Sequence, residues 1–188
     1  MKHKFRDSEK GFALPLSLLL LVVMTIMGLT LVTITSNEHN ANNNKDTNQQ
    51  TFYAAESGIS IAKKYMVDNT SLITGSTHRN LEGDLKFCKA SFFPNLRTSN
   101  GITLGRKSLN EIISASGAEA TRLGKFSFEY FIAYSPDVNG NNSSAKKKSG
   151  TNNTLYTIYS CGCNESKDKC NAKSNVIVPL EAVVTLIN

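Results

Sequence analysis

A stretch of 25 residues without a charged side chain, from Phe12 to Ser36, constrains the fold of this chain most strongly. A bilayer core about 30 Å thick needs roughly 20 apolar residues in a helix, so this stretch is long enough to cross a membrane. The apolar core of a secretory signal is shorter, up to roughly 15 residues, and it ends at a small-residue cleavage site. We therefore predict that residues 12–36 form a transmembrane helix that stays attached to the protein.

The short polar segment of residues 1–11 predicts the orientation of that helix. It contains four of the basic residues and leaves a net charge of +4 for residues 12–188 out of the total of +6. Lysine and arginine beside an apolar stretch stay on the cytoplasmic side, so everything beyond Ser36 is expected on the other side of the membrane.

The small residue at the start of the apolar stretch indicates processing. A cut after Gly11 would remove only the charged leader and leave Phe12 at the new N-terminus, with the whole apolar helix retained. This junction resembles the cleavage site of type IV prepilins, in which a membrane peptidase cuts after glycine and methylates the new first residue. An ordinary uncleaved signal anchor is the alternative.

The resemblance continues without a gap over roughly the first third of the chain. Counted from Phe12, the pattern is that of PilX-type minor pilins: a leucine-rich run, a threonine, a glycine three residues later, an acidic residue after the apolar stretch, and an aromatic-x-Ala-Ala-Glu segment. The matching residues are Thr25, Gly28, Glu38, Ala54, Ala55 and Glu56. The resemblance implies that these residues serve assembly, and for Glu56 a plain surface carboxylate on an exposed helix face is the alternative.

One position departs from the pattern of major pilins. Those proteins and most pseudopilins carry a glutamate five residues into the processed chain, where this sequence has Leu16. A carboxylate among apolar helices is costly unless it is paired, and in pilins it resembles a partner for the amine of a neighbouring subunit. The same absence in PilX-type pilins and in the tip pseudopilin of type II secretion implies a minor, tip-proximal subunit.

Beyond the apolar stretch, the sequence predicts an α+β fold. The helix is expected to continue over residues 37–68, because apolar residues recur there at helical spacing and end before a polar Asp-Asn-Thr sequence. The stripe predicted to face the core consists of Phe52, Ala55, Ile59, Ala62 and Met66. Residues 69–188 are expected to form a globular head large enough for its own core.

Strands are predicted in the head at Leu85–Phe93, Lys125–Tyr134, Leu155–Cys161 and Val176–Ile187, the second with one strongly aromatic face. Ser108 and Glu111 fit a capping box for a short helix, and Pro136–Asn153 reads as a long loop. Hairpin-like joins among the late strands indicate an antiparallel sheet. A long N-terminal helix on such a sheet is also the pilin-like layout that the resemblance implies.

All cysteines lie in the part expected to be exported, where disulfides form readily. They are Cys88, Cys161, Cys163 and Cys170. Three pairings are possible, and Cys161 and Cys163 are too close in sequence for an easy mutual bond. We favour Cys163–Cys170 and Cys88–Cys161. Four thiolates could also hold zinc, but paired CxxC motifs are missing.

The sequence contains no catalytic motif of the common classes, so we expect a protein that is not an enzyme and needs no metal or cofactor. The histidines, His3, His39 and His78, show no paired ligand spacing. The sequence of Asp137–Asn142 differs from the pattern of calcium-binding loops, and an Asn/Gly turn is the simpler interpretation. Lys146–Lys148 could contact nucleic acid or an anionic surface, but without interleaved aromatic residues a solvated loop tip is preferred.

The resemblance implies a minor pilin that is first held in the inner membrane with its head in the periplasm and then built into an extracellular pilus. Its expected partners are other pilin and minor pilin subunits, the prepilin peptidase and the inner-membrane assembly platform; nucleic acid is not expected. A type II secretion pseudopilin and a permanently anchored periplasmic protein are the alternatives.

Overall fold

The computed structural model describes residues 13–75, 77–135, 153–171, 173 and 175–187. Its helices are α1 (Ala13–Asp68), α2 (Thr70–Gly75), a 3₁₀ turn (Ala90–Phe92), α3 (Asn110–Ile113) and α4 (Gly117–Leu123). Its strands are β1 (Arg79–Asn80), β2 (Asn100–Gly101), β3 (Thr103–Ser108), β4 (Ser127–Tyr134), β5 (Asn153–Cys163) and β6 (Ile177–Ile187). The chain divides into two compact units, with the boundary at residue 45 inside α1. The second unit therefore contains the head together with residues 46–68 of α1.

Helix α1 is 56 residues long and continues through the asparagine-rich stretch, as the sequence predicts. It also ends where the polar residues predict. The Asn69 side chain donates to the Tyr65 carbonyl at 3.0 Å, and the Thr70 hydroxyl donates to the Met66 carbonyl at 3.1 Å. The Tyr65 carbonyl also accepts the backbone N–H of Asn69 at 3.0 Å, so the side-chain bonds add to the backbone bonds of the last turn.

The head is built on a four-stranded antiparallel sheet with the strand order β3-β4-β5-β6. Register places Ser127 of β4 opposite Cys163 of β5, and Cys163 opposite Ile177 of β6. With the long helix packed on it, the sheet confirms the predicted α+β class. Strand β3 was not predicted from the sequence, because its largely polar residues form an edge strand whose pairing with β4 is not visible in local periodicity.

Strand β4 is buried on both faces. Phe128, Tyr130 and Ile132 pack in one core cluster with Ala62 and Met66 of α1. The alternate residues Phe131 and Ala133 pack in a second cluster with the segment of residues 81–96. The sequence correctly predicts the aromatic face, but it misses that the other face is covered too, because the covering segment has no regular pattern of its own.

Helix α1 touches strand β5 backbone to backbone. The buried Ser160 hydroxyl donates to the Ala55 carbonyl at 2.8 Å. A Cβ added at Gly162 would collide with the carbonyl oxygen of Thr51 and lie 2.8 Å from the amide nitrogen of Ala55. Glycine at position 162 is therefore required by this close approach.

This contact corrects the predicted core stripe of α1. Ala55, Ala62 and Met66 are buried as expected, whereas Phe52 is 43% exposed. The buried residues in the first turns of this part of the helix are small, namely Thr51, Ala54, Ala55 and Gly58. Only small side chains fit where a helix backbone lies against a strand.

A carboxylate in the core organises the segment that covers the other face of the sheet. Glu129 is fully buried, and the backbone N–H groups of Phe87 and Cys88 donate to it at 2.8 Å. The Lys86 N–H also donates at 3.0 Å, and the Arg106 guanidinium forms an ion pair with the same carboxylate. The prediction of a strand at Leu85–Phe93 is wrong, because these N–H groups bind Glu129 and not a neighbouring strand.

Two disulfides join the segments of the head. Cys88 is bonded to Cys161 and Cys163 to Cys170, which is the pairing that the sequence analysis favours. The first bond links the covering segment to β5 across 73 residues of sequence, and the second closes a loop of 7 residues. The longer loop removes more freedom from the unfolded chain.

The predicted capping box at Ser108 and Glu111 is wrong, although the short helix α3 is present. Leu109 precedes the helix without a side-chain capping bond. Ser108 ends strand β3, where its hydroxyl accepts the Lys167 N–H, and Glu111 forms an ion pair with the Lys167 ammonium group. Both side chains are therefore used by a distant part of the chain.

Gly162→Ala is expected to destabilise the head by about 1–3 kcal/mol, because its methyl group collides with the α1 backbone. The measurement is urea unfolding of the oxidised full chain in detergent micelles. Gly83→Ala is the control, since a Cβ there meets nothing within 4 Å. Equal stability of the two variants would contradict the close helix–strand contact.

Glu129→Gln is expected to lower the free energy of unfolding by about 2–3 kcal/mol, because the Arg106 charge loses its buried partner. The control is Glu119→Gln, which removes the same charge from a surface ion pair between Glu119 and Arg122. Both of these side chains are about half exposed, so stability should stay unchanged. The same urea titration compares both variants. If Glu129→Gln unfolds at the wild-type midpoint, the carboxylate does not organise the covering segment.

Candidate functional site

The first part of α1 presents a long and exposed apolar surface. Leu14 is 72% exposed, and both Leu29 and Val32 are 68% exposed. The segment from Leu14 to Ser36 is about 34 Å long at a rise of 1.5 Å per residue, slightly more than the hydrocarbon core of a bilayer. By length and composition, α1 could therefore span a membrane.

Five hydroxyl groups of this segment form hydrogen bonds within the helix. Thr25 donates to the Val22 carbonyl at 2.8 Å, and Thr30 donates to the Met27 carbonyl at the same distance. Ser17, Thr33 and Thr35 form equivalent bonds to carbonyls three or four residues earlier. A polar group in lipid is costly unless it is bonded, so these bonds suit the segment to an apolar environment.

The residues in this segment that carry the resemblance lie on the surface of α1. Leu16 is 54% exposed, and Thr25 and Glu38 also lie on the exposed helix surface. A Cβ at Gly28 would meet nothing within 4 Å, so packing inside the described chain does not require a glycine there. Gly11 and Phe12, where processing is expected, lie outside the described residues.

The Ala-Ala-Glu segment joins a buried contact to an exposed carboxylate. Ala54 and Ala55 are completely buried against the sheet, so packing within the head alone accounts for their small size. Glu56 is exposed and lies in a shallow hollow of about 280 Å³ with Tyr53 of α1 and Ile112 of α3. Within the described residues, no cationic group forms an ion pair with Glu56.

The contact between the helix and the sheet carries a neutral phenol. Burial raises the pKa of Tyr130 above its ordinary value of 10.0, and the nearby Tyr65 of α1 adds to this rise. Tyr130 therefore stays uncharged at neutral pH.

Sequence reasoning missed the small residues that set this contact. Thr51, Ala55, Gly58 and Ala62 recur at spacings of three and four and are buried along one side of α1. A prediction based only on large apolar side chains places Phe52 in the core, but Phe52 is exposed. Small residues at helical spacing were the signal for a close approach.

Among the residues that the structure describes, the cysteines and histidines form no metal site. All four cysteine thiols are used in disulfides, and no group of three or more metal-binding side chains occurs among the described residues. His39 is exposed, and His78 accepts the Tyr134 N–H at 2.9 Å. The candidates at Asp137–Asn142 and Lys146–Lys148 lie outside the described residues, as does His3.

Comparison with protein-family models, with curated proteins and with solved structures finds no match for this chain. The long apolar N-terminal helix, the antiparallel sheet and the disulfides are compatible with a pilin-like fold.

Proposed function

We propose that this chain is a PilX-like minor pilin of a type IV pilus. It is cleaved after Gly11 and incorporated through α1 into the filament or its tip, where it primes assembly and supports adhesion, aggregation or motility. The observation that carries this proposal is one continuous helix with two environments. Its first part is apolar and exposed, and its second part is buried in a disulfide-bonded head.

A helix of this kind suits transfer from a membrane into a filament. Lipid and a bundle of apolar helices are similarly apolar, so the transfer is governed by packing and not by loss of water contact. Gly28 supports this use, because a residue without a side chain lets the backbone of another helix come close, and the described chain does not itself use that space.

The proposal that the chain is a minor, tip-proximal subunit rests on Leu16. Its uncharged side chain cannot neutralise the N-terminal amine of a neighbouring subunit, which is the role that the resemblance assigns to a glutamate at this position. A subunit at or near the tip has no neighbour ahead of it that requires this partner. Leu16 therefore favours a tip-proximal subunit over a major pilin.

The proposed path begins in the inner membrane with the head in the periplasm and ends in the extracellular pilus. The partners along it are the prepilin peptidase, the inner-membrane assembly platform, and other pilin and minor pilin subunits. The two disulfides support this placement, because such bonds form and persist outside the reducing cytoplasm.

Gly11→Glu is expected to block cleavage, because a long acidic side chain replaces the glycine of the junction. The mature form should be lost and the full-length chain should accumulate in the inner membrane, as measured by N-terminal sequencing and mass spectrometry. Ser8→Glu is the control, since it adds the same charge inside the leader and away from the cut. A wild-type chain that retains Met1 in cells with active prepilin peptidase would identify a permanent anchor instead.

Deletion of the gene separates a pilus subunit from a type II secretion pseudopilin. We expect fewer or no surface filaments and normal secretion of exoproteins, as measured by electron microscopy and by assays of the culture medium. Normal filaments with failed secretion would reject the pilus assignment. Re-expression of the wild-type chain is the control for effects of the deletion on other genes.

Glu56→Lys is expected to reduce incorporation into sheared filaments several-fold while leaving head stability unchanged, because Glu56 is exposed and unpaired among the described residues. Asp68→Lys makes the same charge change at an exposed position near the end of α1 and is the matched control. Immunoblots of filament and membrane fractions give the ratio. Wild-type incorporation of Glu56→Lys would assign Glu56 to an ordinary surface.

A further inference from the structure

The head carries a groove of about 450 Å³ that no step of the proposed assembly uses. It is lined by residues between Asn80 of β1 and Asn100 of β2, and Ser91 of the 3₁₀ turn forms part of its wall. Its volume lies within the range of about 300–1,000 Å³ that is common for small-molecule sites.

The walls of this groove are fixed by the core beneath them. Leu85 and Leu96 belong both to the lining and to the core cluster under the covering segment. Between them, Cys88 is tied to Cys161 of β5, and its N–H donates to the buried Glu129 carboxylate. A ligand would therefore meet a preformed surface, which reduces the entropy lost on binding.

The groove has an excess of positive charge. Lys86, Lys89 and Arg97 line it together with a single carboxylate, Glu82. The Lys86 ammonium group lies 3.4 Å from the exposed Asp168 carboxylate. Lys89 and Arg97 are exposed and form no ion pair with any residue that the structure describes. Two cations are thus available to a ligand.

The remaining polar lining consists of short amide and hydroxyl side chains. Ser91 and Thr98 supply hydroxyls that can donate to or accept from the hydroxyls of a ligand, and Asn80 supplies an amide NH₂ group, since its oxygen already accepts the Glu82 N–H. None of the described residues that line the groove is aromatic, so the bases of a single-stranded nucleic acid would find no stacking surface. The lining thus matches a ligand that is both acidic and rich in hydroxyls.

We propose that this groove binds an acidic oligosaccharide built from uronic acids. The planar guanidinium of Arg97 binds a carboxylate through paired hydrogen bonds, and the Lys89 ammonium group neutralises a second acidic group. The amide and hydroxyl side chains bind the sugar hydroxyls. This site belongs to the head and does not depend on the proposed place of the chain in a pilus.

The test measures binding of a fluorescent oligogalacturonate to the oxidised full chain in non-ionic detergent. The double variant Lys89→Gln/Arg97→Gln should weaken binding by about tenfold or more, because it removes both unpaired cations. The matched control is Lys63→Gln/Lys64→Gln, which removes the same charge from exposed positions on α1 and should leave binding within about twofold. Ser91→Trp obstructs the groove without a change in charge and should also weaken binding.

Two competitor ligands define the chemistry of the site. The fully methyl-esterified oligomer, which lacks the negative charges, should not bind, and a single-stranded oligonucleotide of equal charge should bind less tightly than the oligogalacturonate. The proposal is overturned if the wild-type chain does not bind oligogalacturonate, or if both double variants weaken binding equally. Tighter binding of the oligonucleotide that is lost in Lys89→Gln/Arg97→Gln would also overturn it and identify a phosphate backbone as the ligand.

Discussion

The contact between the α1 backbone and strand β5 is the constraint on which the rest of the head depends. Ser160 and Gly162 of β5 meet the helix at Thr51 and Ala55, with a hydrogen bond of 2.8 Å from the Ser160 hydroxyl to the Ala55 carbonyl. At such a short separation neither element can slide without breaking the bond or forcing a steric clash. The helix is thereby fixed to a central strand, and the aromatic side chains of β4 fill the space beside it.

Elements with a strong local pattern were predictable from sequence, and elements held by distant groups were not. The apolar run, the helical spacing after it and the alternation in β4 are local, and α1 and β4–β6 follow from them. Segment 85–88 looks like a strand because it contains Leu85 and Phe87 at alternate positions. Its backbone instead binds Glu129, more than 40 residues away in sequence, which no local pattern reveals.

The candidate site shows the same division between local and distant causes. The membrane-length helix and the cysteine pairing could be inferred from composition and spacing. The role of Ala54 and Ala55 could not be inferred in this way. In a sequence, an alanine that packs within the head looks the same as an alanine that contacts another subunit. Their complete burial against the sheet shows that they pack within the head, and it leaves Glu56 as the exposed residue of that segment.

The two faces of the sheet provide physically separate surfaces for two kinds of interaction. One core cluster lies between the sheet and α1, and the other lies under the segment of residues 81–96. Strand β4 contributes alternate side chains to both, so a contact that occupies α1 leaves the covering segment and its groove on the opposite face. The buried Glu129 and the Cys88–Cys161 bond hold that segment against the face of the sheet that α1 does not cover. The proposed assembly through α1 therefore leaves the shape of the proposed ligand groove unchanged.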